Sequence, residues 1–175
     1  MKAKEKLMVI GAVITAAGFL FLGCVNVPEP GKERVLKQML SQKPSPELTP
    51  TEVVKIQINA LRMNNETDDG IAVAFRFASP ENRRHTAPLT RFASLVKSAP
   101  YNPLLYHSEA YFSPLGVSGQ RAVQLVGLRD EFGGTYLYVF VLSKQTSGDY
   151  KGCWMTDEVY LRYREKPDYG ETIVL

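Results

Sequence analysis

The spacing of apolar residues changes once along this chain, and the change restricts the folds available to it. Over residues 50–97 the apolar residues recur about every 3.6 positions, which is typical of amphipathic helices packed on a core. Over residues 107–162 they tend to alternate with polar residues, which is typical of half-buried strands. A run of helices followed by a run of strands predicts a segregated α+β domain.

Three helices are predicted. The first should begin at a capping box formed by Thr49 and Glu52, with Pro50 at its first position, and should continue to about Met63.

The second predicted helix covers residues 71–78 and is ended by Ser79-Pro80. The third covers residues 88–97, with Thr86 as its cap.

The strand region follows Pro100 and Pro103, which are incompatible with a helix interior. Short connections between the strands predict an antiparallel sheet. Residues 135–142 are almost entirely apolar, so their strand should be central, with helices on at least one face of the sheet. The four predicted strands are residues 107–112, 121–129, 135–144 and 152–162.

The N-terminus carries the features of an export signal. Three lysines in residues 1–6 precede a run without charges over residues 7–22. Gly23 and Cys24 follow, and they resemble the bacterial lipoprotein box, in which the cysteine is diacylated on sulfur and becomes the mature N-terminus. We therefore predict lipidation at Cys24 and a domain anchored to a membrane outside the cytoplasm, in the periplasm or cell envelope.

Two other interpretations of the leader remain open. Residues 7–25 are long enough to cross a hydrocarbon core of about 30 Å as an uncleaved helix, and the preceding lysines would keep its N-terminus in the cytoplasm. A signal that is only cleaved would release a soluble product. If Cys24 is acylated, Cys153 is the single remaining thiol, so the domain contains no internal disulfide.

The predicted organisation has four parts. Residues 1–23 are the signal or anchor, 24–47 a proline-bracketed tether, 48–165 the α+β domain and 166–175 a tail. The tether is interpreted as a solvated spacer, and the alternative is that its weakly amphipathic part lies on the bilayer.

Composition excludes several classes of protein. The chain is 45% apolar, which is enough to fill a core and excludes general disorder. Without residues 1–23 it has 18 basic and 17 acidic residues, so its charge gives no reason to expect nucleic acid as a partner.

Four short motifs, in this order along the chain, carry a resemblance to a known family. They are residues 75–83, 88–92, 100–104 and 152–157. Together they resemble a DUF4864-type family of bacterial and plastid proteins, over about residues 52–159. The resemblance implies a cone-shaped α+β fold similar to the nuclear-transport-factor-2 and cystatin-like group. In such a fold the three predicted helices would pack on the predicted four-stranded antiparallel sheet. The resemblance implies no particular activity.

No motif for a cofactor or a catalytic metal is present. The sequence contains no glycine-rich phosphate loop, no His-Glu-x-x-His and no Cys-x-x-Cys. Cys153, His85 and His107 lack the spacing of metal ligands. We therefore predict no cofactor, no metal site and no assigned catalytic residue, and we interpret Cys153 as a buried structural thiol.

The densest basic patch contains Arg83, Arg84, His85 and Arg91, near a predicted helix start. Guanidinium groups and free backbone N–H groups in such a place can hold an anion. The alternative interpretation is a solvated turn that joins the second predicted helix to the third.

Four further residues complete the candidate ligand-binding set: Tyr101, His107, Trp154 and Asp157. Trp154 is also a plausible core residue. Asp157 and Glu158 are adjacent on a strand, so their side chains are expected on opposite faces of the sheet.

Two classes of function remain. The first is a tethered module that binds a small apolar or anionic ligand, or an envelope protein. The second is a small isomerase or hydrolase, which would need His107, Asp157 or Glu158 inside a cavity and within about 3 Å of a tyrosine or histidine. A structural role, with the sheet as the interface of a homodimer, is a third interpretation.

Overall fold

Helices come first and strands second, as the change in apolar spacing predicts. The computed structural model describes residues 30–165, in which helices pack on one face of an open, five-stranded antiparallel sheet. This confirms the α+β class. The predicted signal or anchor, Cys24 and the predicted tail at residues 166–175 lie outside the described residues. Within residues 30–165, no helix has the length and apolar character needed to span a bilayer.

Residues 30–165 form six α-helices. Four of them lie within residues 49–97, where the sequence predicts three. The helix that begins at the predicted capping box has that box in place, because the Thr49 side chain accepts from the Glu52 N–H and the Glu52 side chain accepts from the Thr49 N–H. The helices are α1 Pro30–Ser41, α2 Pro50–Arg62, α3 Asp69–Arg76, α4 Pro80–Thr86, α5 Leu89–Lys97 and α6 Pro103–Tyr106.

Prolines explain two of the additional helices. Ser79-Pro80 does not simply end a helix, because Ser79 caps α4 and its Oγ accepts from the Asn82 N–H at 3.2 Å. Pro103 likewise begins α6. A proline in the first helical turn costs nothing, since its missing N–H would have no partner there. The expectation that these prolines act only as helix breakers was therefore wrong.

Thr86 is not the cap of α5. Its Oγ1 donates to the Asn82 backbone oxygen at 2.9 Å, inside α4, and Pro88 occupies the N-cap position of α5.

α1 lies within the predicted tether, and its end contacts the domain. Met39 and Leu40 pack against the core, and Arg76 Nη1 donates to the backbone oxygens of Leu40 at 2.8 Å and Gln42 at 2.5 Å. The last part of the tether is thus held against α3.

The sheet has the order β1-β3-β4-β5, with the short β2 pairing on β3. β4 is interior and apolar on both sides, which confirms the prediction of a central strand. The strands are β1 His107–Phe112, β2 Gly116–Ser118, β3 Arg121–Asp130, β4 Thr135–Lys144 and β5 Trp154–Glu165. The prediction of four strands missed β2, which is only three residues long.

The core lies between the helices and one face of the sheet. Tyr138, Phe140 and Leu142 of β4 point toward the helices and are almost fully buried. The Tyr138 hydroxyl donates to the Pro100 oxygen at 2.6 Å, and burial raises the pKa of Tyr138. Helices α2 and α3 approach closely at Gly70, where a Cβ atom would lie 2.1 Å from the Ala60 oxygen.

β5 is an edge strand, and its beginning is covered from the helical side. The Ser79 N–H donates to the Thr156 oxygen at 2.8 Å, and the Thr156 N–H donates to the Phe77 oxygen at 2.9 Å. These bonds form a short parallel bridge between the segment after α3 and β5.

Candidate functional site

A cavity of about 230 Å³ lies between β5 and the helices. Helices α2 to α6 all contribute residues to it, so the cavity depends on how these helices are placed on the sheet. Its apolar lining consists of Leu61, Ala74, Phe92, Leu95, Val96, Leu104, Phe140 and Val159.

Gln57 is a buried polar side chain in the cavity wall. Its Nε2 donates to the Ala74 oxygen at 3.0 Å, and its Oε1 accepts from Thr156 Oγ1 at 2.6 Å. Both ends of the amide are therefore used to join α2, α3 and β5, and the side chain holds this wall in place.

Asn82 and Tyr101 connect the opposite wall to the edge of β5. Asn82 Nδ2 donates to the Asp157 backbone oxygen at 2.9 Å, and the Tyr101 hydroxyl donates to the Val159 oxygen at 3.2 Å. Each bond satisfies a carbonyl group on the edge of the sheet, so these two side chains position the cavity wall.

A β-bulge in β5 changes the expected positions of the two carboxylates. Val141 pairs with Glu158 and Leu142 pairs with Thr156, so Asp157 is the extra residue. Strict alternation is broken there. Glu158 pairs with Val141 and Asp157 accepts from Ser143, and both partners face away from the helices. The two carboxylates therefore lie on the same outer face of the sheet, although both residues border the cavity. The expectation that they are separated by the sheet was wrong, because it assumed a regular strand.

The carboxylates of this wall are not paired with a tyrosine or a histidine. Asp157 Oδ1 accepts from Ser143 Oγ at 3.0 Å. Among the described residues, Glu158 has no side-chain hydrogen bond or ion pair. Neither Asp157 nor Glu158 thus forms, within residues 30–165, the pair with a tyrosine or histidine that the alternative of a small enzyme assigns to it.

A second cavity of about 290 Å³ adjoins the first and shares His85, Thr86 and Leu95 with it. Arg91 lies in its lining and forms no ion pair with any residue that the structure describes. His85 Nε2 is 2.9 Å from Glu81 Oε1. Within residues 30–165, the second cavity therefore has a guanidinium group without an ion-pair partner, next to the mostly apolar first cavity.

The predicted basic patch is divided by the fold. His85 and Arg91 line the cavities. Arg83 instead stacks over the Tyr150 ring, 4.8 Å from its centroid, and Arg84 forms an ion pair with Glu81. Neither Arg83 nor Arg84 lines either cavity.

Trp154 and His107 also lie outside both cavities. Trp154 pairs with Lys144 at the start of β5 and packs against the core. His107 is buried at the start of β1, where its Nδ1 donates to the Leu104 oxygen at 3.0 Å. Of the predicted ligand-binding residues, the structure thus brings together His85, Arg91, Tyr101 and Asp157.

We expect the burial of His107 to make stability depend on pH. Burial, with a smaller contribution from Arg62, lowers the pKa of His107 in the folded state. As the pH falls below about 6.5 the unfolded chain binds the proton first, so the free energy of unfolding decreases by at most about 1.4 kcal/mol per pH unit. This loss continues until the pH reaches the folded-state pKa.

Urea unfolding between about pH 5 and pH 8 measures this dependence. His107→Gln should remove it, and His85→Gln, at an exposed histidine, should leave it in place. Equal behaviour of the two variants would show that His107 is not the titrating group.

Cys153 is free and buried, which confirms the prediction of a buried thiol. Burial raises the pKa of this thiol, with a smaller contribution from Glu47, so it stays protonated at neutral pH. Within residues 30–165, no group of three or more His, Cys, Asp or Glu side chains is placed to hold a metal ion.

The family model described as "Domain of unknown function (DUF4864)" matches residues 45–168. The chain belongs to the DUF4864 family. The four motifs that carry the resemblance meet at the cavity, because each of them contributes a lining residue: Asn82, Phe92, Tyr101 and Asp157. No curated protein and no solved structure shows significant similarity to the chain.

Several residues that line the first cavity of this DUF4864 domain were not predicted from the sequence, above all Gln57. One signal was available, since Gln57 lies between Val53, Val54, Ile58 and Leu61 in the buried stripe of α2. A polar residue at a buried helical position needs a hydrogen-bonding partner, and here that partner is in β5.

Proposed function

We propose that this DUF4864 domain is a binding module whose cavity holds a small ligand with an apolar body and an anionic end. The observation that carries the proposal is the convergence of the four motifs on one mostly apolar cavity. An apolar pocket with a few convergent polar groups is the usual form of a small-molecule site.

The size and charge of the two cavities indicate the class of ligand. A volume of about 230 Å³ equals the liquid volume of about seven or eight water molecules at about 30 Å³ each, which limits the ligand to a small molecule. Arg91 in the adjoining cavity has no ion-pair partner in the described part of the chain, and its guanidinium group is suited to a carboxylate or phosphate group.

The proposal includes a fold type and a location. Helices on one face of an antiparallel sheet, with a cavity between them, support a cone similar to the nuclear-transport-factor-2 and cystatin-like group. The basic and apolar leader and Cys24 support a lipid anchor that holds the domain at a membrane of the cell envelope.

We favour binding over the alternative of a small isomerase or hydrolase. His107 does not line either cavity, and in the described part of the chain neither Asp157 nor Glu158 hydrogen-bonds a tyrosine or histidine. His85, which lines both cavities, does pair with Glu81, but both side chains are largely exposed to solvent. The arrangement therefore supports the retention of a ligand more than proton transfer to or from it.

Native mass spectrometry of the full chain extracted from membranes tests the proposal. We expect a noncovalent small-molecule adduct on the natural chain, and a covalent acyl mass at Cys24 that persists after denaturation. Leu95→Trp should abolish the adduct, because Leu95 lines both cavities and is exposed enough to accept a larger ring.

Leu89→Trp is the matched control. Leu89 lies on the same helix with similar exposure, 37% against 41% for Leu95, and it lines neither cavity. An adduct should therefore survive Leu89→Trp. Absence of any adduct on the natural chain, or its equal loss from both variants, would refute binding in this cavity.

A further inference from the structure

The face of the sheet opposite the helices exposes an apolar surface. Along β3 and β4, side chains point alternately toward the helices and away from them. Those that point away form the outer face of the sheet, together with their cross-strand partners on β5. We call this surface the open face. Its apolar residues include Val123, Leu125, Leu137, Val141, Tyr160 and Tyr163.

The open face is larger than scattered surface residues explain. Tyr111, Tyr160 and Tyr163 are 62%, 42% and 52% exposed, which leaves about 300 Å² of tyrosine surface at about 200 Å² per aromatic side chain. The neighbouring aliphatic residues add to this area. The largest apolar patch on a typical monomer covers about 300–600 Å² and is often functional.

Charges on the open face lie on the two sides of β4. The outward residues of β4 are uncharged: Thr135, Leu137, Val139, Val141 and Ser143. On one side β3 presents Arg121 and Arg129 near its two ends. On the other side β5 presents Glu158 and Glu165.

We propose that the open face is the contact between two copies of this chain, related by a twofold axis along β4. Rotation by 180° about that axis keeps each residue at its level along the strand and exchanges the two sides of the sheet. β3 then faces β5 of the partner subunit, and the uncharged β4 packs on its own copy.

The levels of the charges fit this arrangement. Arg129 and Glu165 both pair with Thr135, so they lie at the same level, and Arg129 meets Glu165 of the partner subunit. At the other end of the sheet, Arg121 pairs with Ser143, and Glu158 pairs with Val141. Ser143 and Val141 are successive outward residues of β4, so the levels of Arg121 and Glu158 differ by two residues along the strand. The contact is therefore complementary in charge at both ends and apolar between them.

The remaining charges of this face do not conflict with the pairing. Arg162 lies at the second bulge of β5, level with Leu137, and Leu137 pairs with Gly127 of β3. Arg162 therefore meets an uncharged position of the partner subunit. Glu109 is the cross-strand partner of Arg129 within the same subunit, and its strand β1 lies beyond the strands that face each other, so Arg129 lies between Glu109 and Glu165 of the partner subunit.

Charge reversal in the full chain tests the proposal, with sedimentation or native mass spectrometry as the readout. We expect a dimer for the natural chain and at least about tenfold weaker dimerisation for Arg129→Glu and for Glu165→Arg. The double variant R129E/E165R should restore the dimer. Lys55→Glu, on the exposed side of α2, should leave it unchanged.

A monomeric natural chain would overturn the proposal, and so would a dimer that tolerates each single reversal as well as it tolerates Lys55→Glu. Cross-linking gives a second test that does not depend on charge. Val141→Cys lies on the proposed axis and should cross-link to itself through a short bifunctional thiol reagent, whereas Asn59→Cys on α2 should not. Equal cross-linking of both variants would count against the axis.

The proposed dimer does not depend on ligand binding. Leu95 is on α5, on the helical side of the sheet, so Leu95→Trp should remove the ligand and leave the dimer intact.

Discussion

Gly70→Ala is expected to lower the free energy of unfolding by about 3 kcal/mol and the midpoint of thermal unfolding by about 10 °C. A Cβ atom at this position would lie 2.1 Å from the Ala60 oxygen and 2.9 Å from the Asn64 Cα. Both are backbone atoms, so no side-chain rotation relieves the contact, and α2 and α3 would have to separate.

The expected sign is opposite to the intrinsic preference of a helix. Alanine is favoured over glycine by about 1 kcal/mol at a solvent-exposed helical position. A loss of stability at Gly70 therefore reports the close approach of the two helices and not helix propensity.

Gly116→Ala is the control for this prediction. The nearest atom to a Cβ there is the Val123 oxygen at 3.8 Å, an ordinary contact distance, so the change should stay within about 0.5 kcal/mol. If Gly70→Ala behaved like Gly116→Ala, the packing of α2 on α3 would be looser than described.

Gln57→Glu is expected to lower the free energy of unfolding by about 3–4 kcal/mol at neutral pH and by much less in acid. The change keeps the shape of the side chain but replaces the donor to the Ala74 oxygen with a second acceptor. A buried carboxylate facing a carbonyl oxygen is strongly unfavourable, so the folded protein would keep this group protonated.

The pH dependence follows from that protonation. The folded-state pKa of the introduced carboxyl group would lie above its unfolded value of about 4.3. The cost is then small below about pH 4.3 and grows by about 1.4 kcal/mol per pH unit above it, until the pH reaches the folded-state pKa. Urea unfolding at several pH values measures this slope.

Asn59→Asp serves as the comparison, since it introduces the same charge at an exposed position of the same helix. It should show no comparable slope between about pH 4 and pH 7. A shallow slope for Gln57→Glu would mean that the Gln57 amide reaches water or another donor, and that the cavity wall is open at this point.

The elements that local signals specify could be predicted from the sequence. The capping box of Thr49 and Glu52 set the start of α2, and the apolar run in residues 135–142 identified β4 as the central strand. These signals depend on neighbours within a few positions, so no tertiary information is needed to interpret them.

Local signals gave a wrong prediction where the same dipeptide is compatible with both the end and the start of a helix. Ser79-Pro80 ends one helical pattern and also caps the next helix, because a serine side chain can accept from the following turn and a proline fits the first helical position. The choice depends on whether the chain after the proline can pack, and here α4 packs against β5.

The candidate site was only partly predictable, since it is assembled from separate segments. Tyr101 and Asp157 were identified, but the reason they meet is the hydrogen bonding of Tyr101 and Asn82 to the edge of β5. The bulge at Asp157 follows from the pairing of two strands and has no signature within one of them. Gln57 was missed because a buried glutamine is justified only by its distant partner Thr156.

The covered start of β5 has a consequence for assembly by strand addition. An exposed edge strand can template the pairing of further chains in an unlimited row. Here the backbone groups at Thr156, Asp157 and Val159 already bond to Phe77, Ser79, Asn82 and Tyr101. An incoming strand would have to displace these hydrogen bonds. The segments that pack on this half of β5 therefore disfavour open-ended polymerisation by strand addition there.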